Sequence, residues 1–191
     1  QNQSSAASDV YKRQVKICKN KGIHMQEGKL NSKNYNHEEF DVITSFEVLE
    51  HINNPVEEIK IFRKLLRLGG LVYLTTPNFN SISRYYLKSK YNIITYPEHL
   101  SYYTPKTLKK LFKSSNFKAY NIETTGISIT RIKTSMGISD QPFISVKSDD
   151  ERIRKQLESN KVLKNIKTLI NYGLTISGRG NSLKGWFVKN Y

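Results

Sequence analysis

The stretch FDVITSFEVLEHINNPVEEIKIFRKLLRLGGLVYLTTPN, Phe40 to Asn78, decides how this chain folds. Its opening residues, Phe40 to Phe46, are apolar and β-branched over a length that suits a buried strand. Pro55 stands where a helix begins, because the first turn does not use the N–H that proline lacks. Val56, Ile59, Phe62, Leu65 and Leu66 then recur on one helical face. Gly69 and Gly70 predict the end of that helix, and Leu71 to Thr76 predict the next strand, stopped by Pro77-Asn78. The order is strand, helix, strand, which places a crossover between parallel neighbours.

Working outward, Val15 to Gly22 reads as the end of a helix, and the following IHMQEG reads as a short strand, with Asn31 to Glu39 as a polar loop. Downstream, Thr104 is an N-cap with Pro105 at the first helical position, and Leu108, Leu111 and Phe112 mark one face of a short helix. FKAYNIETT, from Phe117, is a strand. Asp149 and Asp150 predict the cap of a helix with the stripe Ile153, Leu157, Leu163, Ile166 and Ile170, ending near Gly173. Ser182 to Lys189 closes the chain as a strand. This alternation implies an α/β fold whose sheet is mostly parallel, with a late antiparallel pair. The polar residues 1–14 match nothing that follows and read as a non-native or disordered segment. The domain then occupies 15–191, with 127–181 as a variable insertion carrying a helix near 150–172.

Eight Phe and twelve Tyr among 191 residues exceed what a disordered chain carries, so a packed core is expected. The formal charge of +15 arises from lysines spread along the whole chain. Dispersed charge confers solubility rather than a polyanion footprint, and nucleic acid is not favoured as a partner. Cys18 is the only cysteine, which excludes a disulfide framework or a thiolate metal cluster. No apolar run approaches the roughly 20 residues of a membrane span, so the expectation is a cytoplasmic protein without a membrane partner.

The Phe40–Asn78 run resembles the central part of class I S-adenosylmethionine-dependent methyltransferases, in particular the branch of ubiquinone-pathway O-methyltransferases and small-RNA 2′-O-methyltransferases. The resemblance rests on a strand leading into E-V-L-E-H, a helix leading into L-x-x-G-G and a strand ending in T-x-P-N, in that order. PEHLSYYTPKTL, from Pro97, and the closing GNSLKGWFVKN continue it. It implies a Rossmann-like fold, S-adenosylmethionine as methyl donor and a small-molecule acceptor. The family opens with a strand, a G-x-G-x-G turn and a second strand ending in an acidic residue, and none of these is found here. The only G-x-G, Gly178 to Gly180, precedes the last strand and is not that turn. The expectation is therefore a partial fold with its first two strands missing and, for this chain alone, weak or no binding of S-adenosylmethionine. Backbone N–H groups approach the donor's carboxylate closely only where glycine removes the Cβ.

In the small-RNA branch two glutamates and two histidines hold a divalent metal, and Glu47, Glu50, His51 and His99 match all four positions. If a helix opens directly after the strand, Glu47, Glu50 and His51 share one face at i, i+3 and i+4. Two carboxylates and two imidazoles suit Mg²⁺, Mn²⁺ or Zn²⁺. Without a metal, His51 or His99 is the candidate general base for a hydroxyl. The bland alternative is that the glutamates line a solvated pocket mouth while the histidines pack or pair locally. By resemblance, Gly28 and Leu30 lie beside the adenine, and Ser45 and Phe46 line the methionine end. Tyr102 and Tyr103 are candidate walls of an acceptor pocket, whereas Tyr85, Tyr86 and Tyr91 read as surface. The functional expectation is O-methylation of a small molecule or glycan precursor. RNA 2′-O-methylation and a catalytically inactive domain are the alternatives.

Overall fold

The computed structural model describes residues 15–18, 20–22, 28, 30–138, 150–153, 156 and 161–191. The segment 1–14 and the strand expected at Ile23 to Glu27 lie outside the described residues. Strand β1, Phe40–Phe46, and strand β2, Leu66–Pro77, pair in parallel from Val42↔Leu71 to Phe46↔Thr75. Helix α1, Pro55–Leu65, crosses between them, its first turn capped by the Asn54 side chain accepting from Glu57 N–H.

Helix α1 stops at Leu65, four residues short of the glycine pair that was expected to end it. Leu66 is already extended, at φ −78° and ψ 139°, and pairs with Phe40 before the register jumps to Val42↔Leu71. The glycines serve that irregularity. Gly69 takes φ +74°, and a Cβ on Gly70 would stand 2.9 Å from the Arg67 carbonyl oxygen and 3.1 Å from that of Asp41. Leu65 and Leu66 are both buried, so burying two adjacent leucines outweighs the helix propensity of the residues that follow.

Helix α2, Ile82–Leu87, is followed by α3, Pro105–Lys113, whose Thr104 and Thr107 form a reciprocal capping box. Strand β3, Phe117–Thr125, leads to helix α4, Ile129–Ser135. Helix α5, Lys161–Ser177, precedes strand β4, Ser182–Lys189. The sheet order is β1-β2-β4-β3, with β4 antiparallel to both neighbours. Three strands thus run one way and the last strand runs against them, as the alternation of elements implied. The core lies where α1 and α3 cover the sheet: Ile59, Phe62, Leu108, Phe112, Val72 and Phe187 are all buried. Phe112 stacks on Phe187 at 3.8 Å between ring centroids. Val56, assigned to the buried face of α1, is 38% exposed.

The helix expected to end near Gly173 runs on to Ser177, and Gly178 then takes φ +66°. Its apolar stripe is not core either. Ile166 and Ile170 stay exposed, Leu174 is the buried residue of α5, and Leu157 lies outside the described residues. Polar anchors set the helix rotation: Asn171 Oδ1 accepts from Gly126 N–H at 2.9 Å, and Thr175 Oγ1 donates to the Thr124 carbonyl at 3.0 Å. Asp150 caps, but it caps α4, accepting from Ile129 and Thr130 N–H at 2.8 and 3.0 Å. Among the described residues no helix is long and apolar enough to cross a membrane.

Candidate functional site

The C-terminal ends of β1, β2 and β3 share one edge of the sheet, where open α/β sheets bind their ligands. At the end of β1 the chain turns sharply. Glu47 adopts φ +51° and donates its N–H to the Thr75 carbonyl at 2.9 Å, and a short 3-10 turn, Leu49–His51, follows. The expected helical face carrying Glu47, Glu50 and His51 therefore does not form, because the hydrogen bond to β2 turns Glu47 away before a helix can begin.

Glu50 is 2% exposed, and its Oε2 accepts from Thr76 Oγ1 at 2.8 Å. Its backbone carbonyl accepts from Leu100 and Ser101 N–H at 2.8 and 3.1 Å, which fastens the loop carrying His99 to the turn carrying His51. The two imidazoles meet edge to face with centroids 4.8 Å apart, and His51 Nε2 lies 3.9 Å from Glu50 Oε1. One ligand-capable atom from each of Glu50, His51 and His99 falls within 4.8 Å of the others. Four residues were expected to converge and three do. Glu47 stays outside the trio, with its carboxyl pushed above the usual range by desolvation, assisted by the Glu50 charge and opposed by Thr75 and Arg131.

His51 Nδ1 lies 2.7 Å from the Glu98 carbonyl, and His99 Nδ1 lies 2.7 Å from the Ile93 carbonyl. A carbonyl oxygen only accepts, so each Nδ1 must carry its hydrogen, and in the neutral ring Nε2 is then the nitrogen with the lone pair. This backbone-oriented pattern is the one metal-ligating histidines use, and one carboxylate with two imidazoles fits a divalent cation with open positions left over. The same lone pairs also suit proton abstraction.

The residues expected at the donor lie in different settings. Gly28 is exposed at φ +94°, and Leu30 packs on the main core. Ser45 is half-buried opposite Leu74, and Phe46 is 55% exposed with its ring edge-on to Tyr73. The Gly178–Gly180 motif is structural: Asn78 Nδ2 donates to both glycine carbonyls, and a Cβ on Gly180 would stand 2.3 Å from Thr125 N. No glycine-rich turn follows a strand among the described residues.

Tyr103 is buried in the core, whereas Tyr102 donates its hydroxyl to the His99 carbonyl at 3.2 Å and lies beside the site. Tyr91, grouped with the surface tyrosines, is 2% exposed and shares a hydrogen bond with Ser81 Oγ at 2.9 Å. Thr76 and Arg131 were missed. Thr76 is an ordinary strand residue in the sequence, and Arg131 carries no local signal. Arg131 is nonetheless depressed by desolvation while interacting with the charges of Asp150 and Glu47.

A family model described as "Methyltransferase domain" matches residues 4–122. The chain is 31% identical over 87 residues to the mitochondrial ubiquinone biosynthesis O-methyltransferase of Dictyostelium discoideum, covering 42% of this chain and 27% of that protein. It is 43% identical over 42 residues to the ubiquinone biosynthesis O-methyltransferase of Pseudomonas aeruginosa, covering 22% of this chain and 18% of the relative. The matched stretch thus spans about a quarter or less of these curated relatives. Among solved structures, a SAM-dependent methyltransferase of Thermotoga maritima superposes with TM-score 0.56 at 12% identity, covering 93% of this chain and 70% of that one. A SAM-dependent methyltransferase of Archaeoglobus fulgidus gives 0.50 at 16% identity, covering 92% and 80%. The structural likeness supports the Rossmann-like fold, and the family model, matching more than half of the residues, establishes that the chain belongs to the methyltransferase domain family.

Proposed function

We propose that the protein is an S-adenosylmethionine-dependent O-methyltransferase for a small-molecule hydroxyl, and that Glu50, His51 and His99 form its acceptor end. The observation that carries this reading is the convergence of a buried carboxylate and two oriented Nε2 lone pairs at the strand ends. Family membership and the partial likeness to ubiquinone O-methyltransferases support methyl transfer to oxygen. His51 or His99 accepts the hydroxyl proton at Nε2, and the Glu50 carboxylate, 3.9 Å from His51, stabilises the imidazolium that results. A divalent cation held by Glu50 and the two Nε2 atoms would replace that proton transfer, because the lone pairs are then committed, and would instead acidify a coordinated hydroxyl. Glu47 would join such a ligand set only by moving its side chain. This chain's residues hold and deprotonate the acceptor; the turn that grips the methyl donor is not among them, so the 191-residue chain alone is inactive in this reading.

RNA 2′-O-methylation is the second reading, and the placement of charge speaks against it. Among the described residues, one basic cleft is lined by His37, Lys60, Arg63, Lys64 and Lys189, and another by Lys109, Lys113 and Lys118. Lys189 and Lys118 sit where the sheet begins, at the pole opposite Glu50. Titration of Mn²⁺ into the chain, followed by calorimetry, tests the site directly. One-to-one binding weakened about 10- to 100-fold by His99→Ala is expected. Methyl transfer from labelled S-adenosylmethionine to a catechol, by the protein as its gene encodes it, tests the reaction. Transfer to RNA 2′-hydroxyls with none to catechol would overturn the proposal, as would full activity in His51→Ala and His99→Ala alike.

A further inference from the structure

Two arginines meet one aromatic ring at the pole of the sheet that carries Glu50. Arg84, on α2, holds its guanidinium carbon 4.4 Å from the Phe79 ring centroid and 4.3 Å from that of Tyr85. Arg179, in the turn before β4, stands 4.3 Å from the same Tyr85 ring. The two guanidinium carbons are therefore no further apart than twice that distance. Stacking on a ring uses the flat of a guanidinium and leaves its N–H edge for another partner.

The fold does not use those edges. Among the described residues neither guanidinium has a hydrogen-bond or carboxylate partner, and both side chains are half-buried. Arg84 Nε is enclosed, so a ligand meets the terminal nitrogens, which are not. Two like charges held this close repel each other until an anion lies between them. The frame around them is tied together. The Tyr85 hydroxyl donates to Asn80 Oδ1 at 3.1 Å, Asn80 Nδ2 donates to the Gly178 carbonyl at 3.2 Å, and Ile82 N–H donates to the Arg179 carbonyl at 2.8 Å. Ser83 Oγ adds a hydrogen bond to Asn181 Oδ1 at 2.8 Å. Helix and turn thus present the two arginines as one unit, and little remains to be ordered when a ligand arrives. Ring contacts connect this unit to the trio: Phe79 lies 5.5 Å from Tyr102, and Tyr102 lies 6.4 Å from His99, between centroids.

We propose that Arg84 and Arg179 form an anion site for the carboxylate or phosphate group of a small molecule bound beside His99. Each guanidinium fork can pair with two oxygens of either group. Two forks suit a single acid group, whereas a nucleic-acid strand calls for a row of phosphate contacts. The methyl-transfer reading is not a premise, since neither a hydroxyl nor a methyl donor takes part.

Titration of the chain with benzoate, phenyl phosphate and benzamide, followed by NMR chemical shifts, tests the site. Benzoate or phenyl phosphate should bind one-to-one and at least about tenfold tighter than uncharged benzamide, as a charge-assisted fork predicts. The tighter of the two names the acid group. Arg84→Gln and Arg179→Gln should each remove most of that preference and leave benzamide binding unchanged, with the melting temperature as the check on folding. Among the described residues Arg179 contacts the fold through its backbone hydrogen bonds and the Tyr85 ring, so its variant decides the matter if Arg84→Gln unfolds. Acid and amide of equal affinity, an acid preference kept in Arg179→Gln, or several equivalents of benzoate bound per chain would overturn the proposal. No probe carries a phenolic hydroxyl, so failure here leaves the methyl-transfer reading standing, and failed methyl transfer leaves the titration result standing.

Discussion

At the residue scale, the site depends on what each side chain is denied. Glu50 is shut away from water with one hydrogen bond from Thr76, and both histidines have Nδ1 committed to backbone carbonyls, so their reactive atoms are aimed rather than free to rotate. Glu50→Gln keeps the volume and a partner for Thr76 but removes the charge. In a protein that also carries the donor turn, it should lower methyl transfer about 10²-fold, by activity assay, while thermal melting stays close to wild type. A second pair governs the opposite pole. Lys189 is buried, its ammonium donating to Glu38 Oε1 and to the Leu66 carbonyl, both at 2.7 Å. The hydrogen bond from Lys189 chiefly holds the Glu38 carboxyl below its usual range. A carboxyl depressed by folding contributes stability above its unfolded pKa and loses it as pH falls through its folded one. Glu38→Gln should therefore melt lower at neutral pH and show a flatter loss of stability on acidification, read from melting temperatures across that range.

At the element scale, close approach rather than propensity sets the boundaries. Helix α1 yields to β2 four residues early because Leu65 and Leu66 are both buried, and α5 continues through Gly173 because Asn171 and Thr175 bind it to the end of β3. Strand β4 is the central brace of the sheet, and its Phe187 fills the space against Phe112. Phe187→Ala should cost about 3–5 kcal/mol in denaturant unfolding, the range for an emptied aromatic site. Gly180→Ala drives a methyl group into the backbone of Thr124 and Thr125 and should cost about 3 kcal/mol or more. A Gly180→Ala protein as stable as wild type would show that the link from Asn78 to the glycine carbonyls is loose.

At the scale of the whole molecule, the two ends of the sheet divide the work: the carboxylate and imidazoles gather at one pole, and the basic clefts at the other. The donor turn is not part of either, so calorimetry of the 191-residue chain with S-adenosylmethionine should show no micromolar binding, and such binding would refute the division into acceptor and donor sides. Strand, helix, strand and the closing strand were readable from Phe40–Asn78 and Ser182–Lys189, because apolar periodicity and glycine or proline breaks are local properties of a chain. The pairing of Glu50, His51 and His99 was readable only by resemblance, since nothing local relates residues almost fifty positions apart. Folding itself decided the rest. Which glutamate enters the trio follows from a hydrogen bond to Thr75, a residue of another strand. Which face α5 buries follows from Thr175 finding a partner on β3 and Asn171 one just past its end, and an apolar stripe by itself cannot say whether sheet, solvent or ligand will cover it.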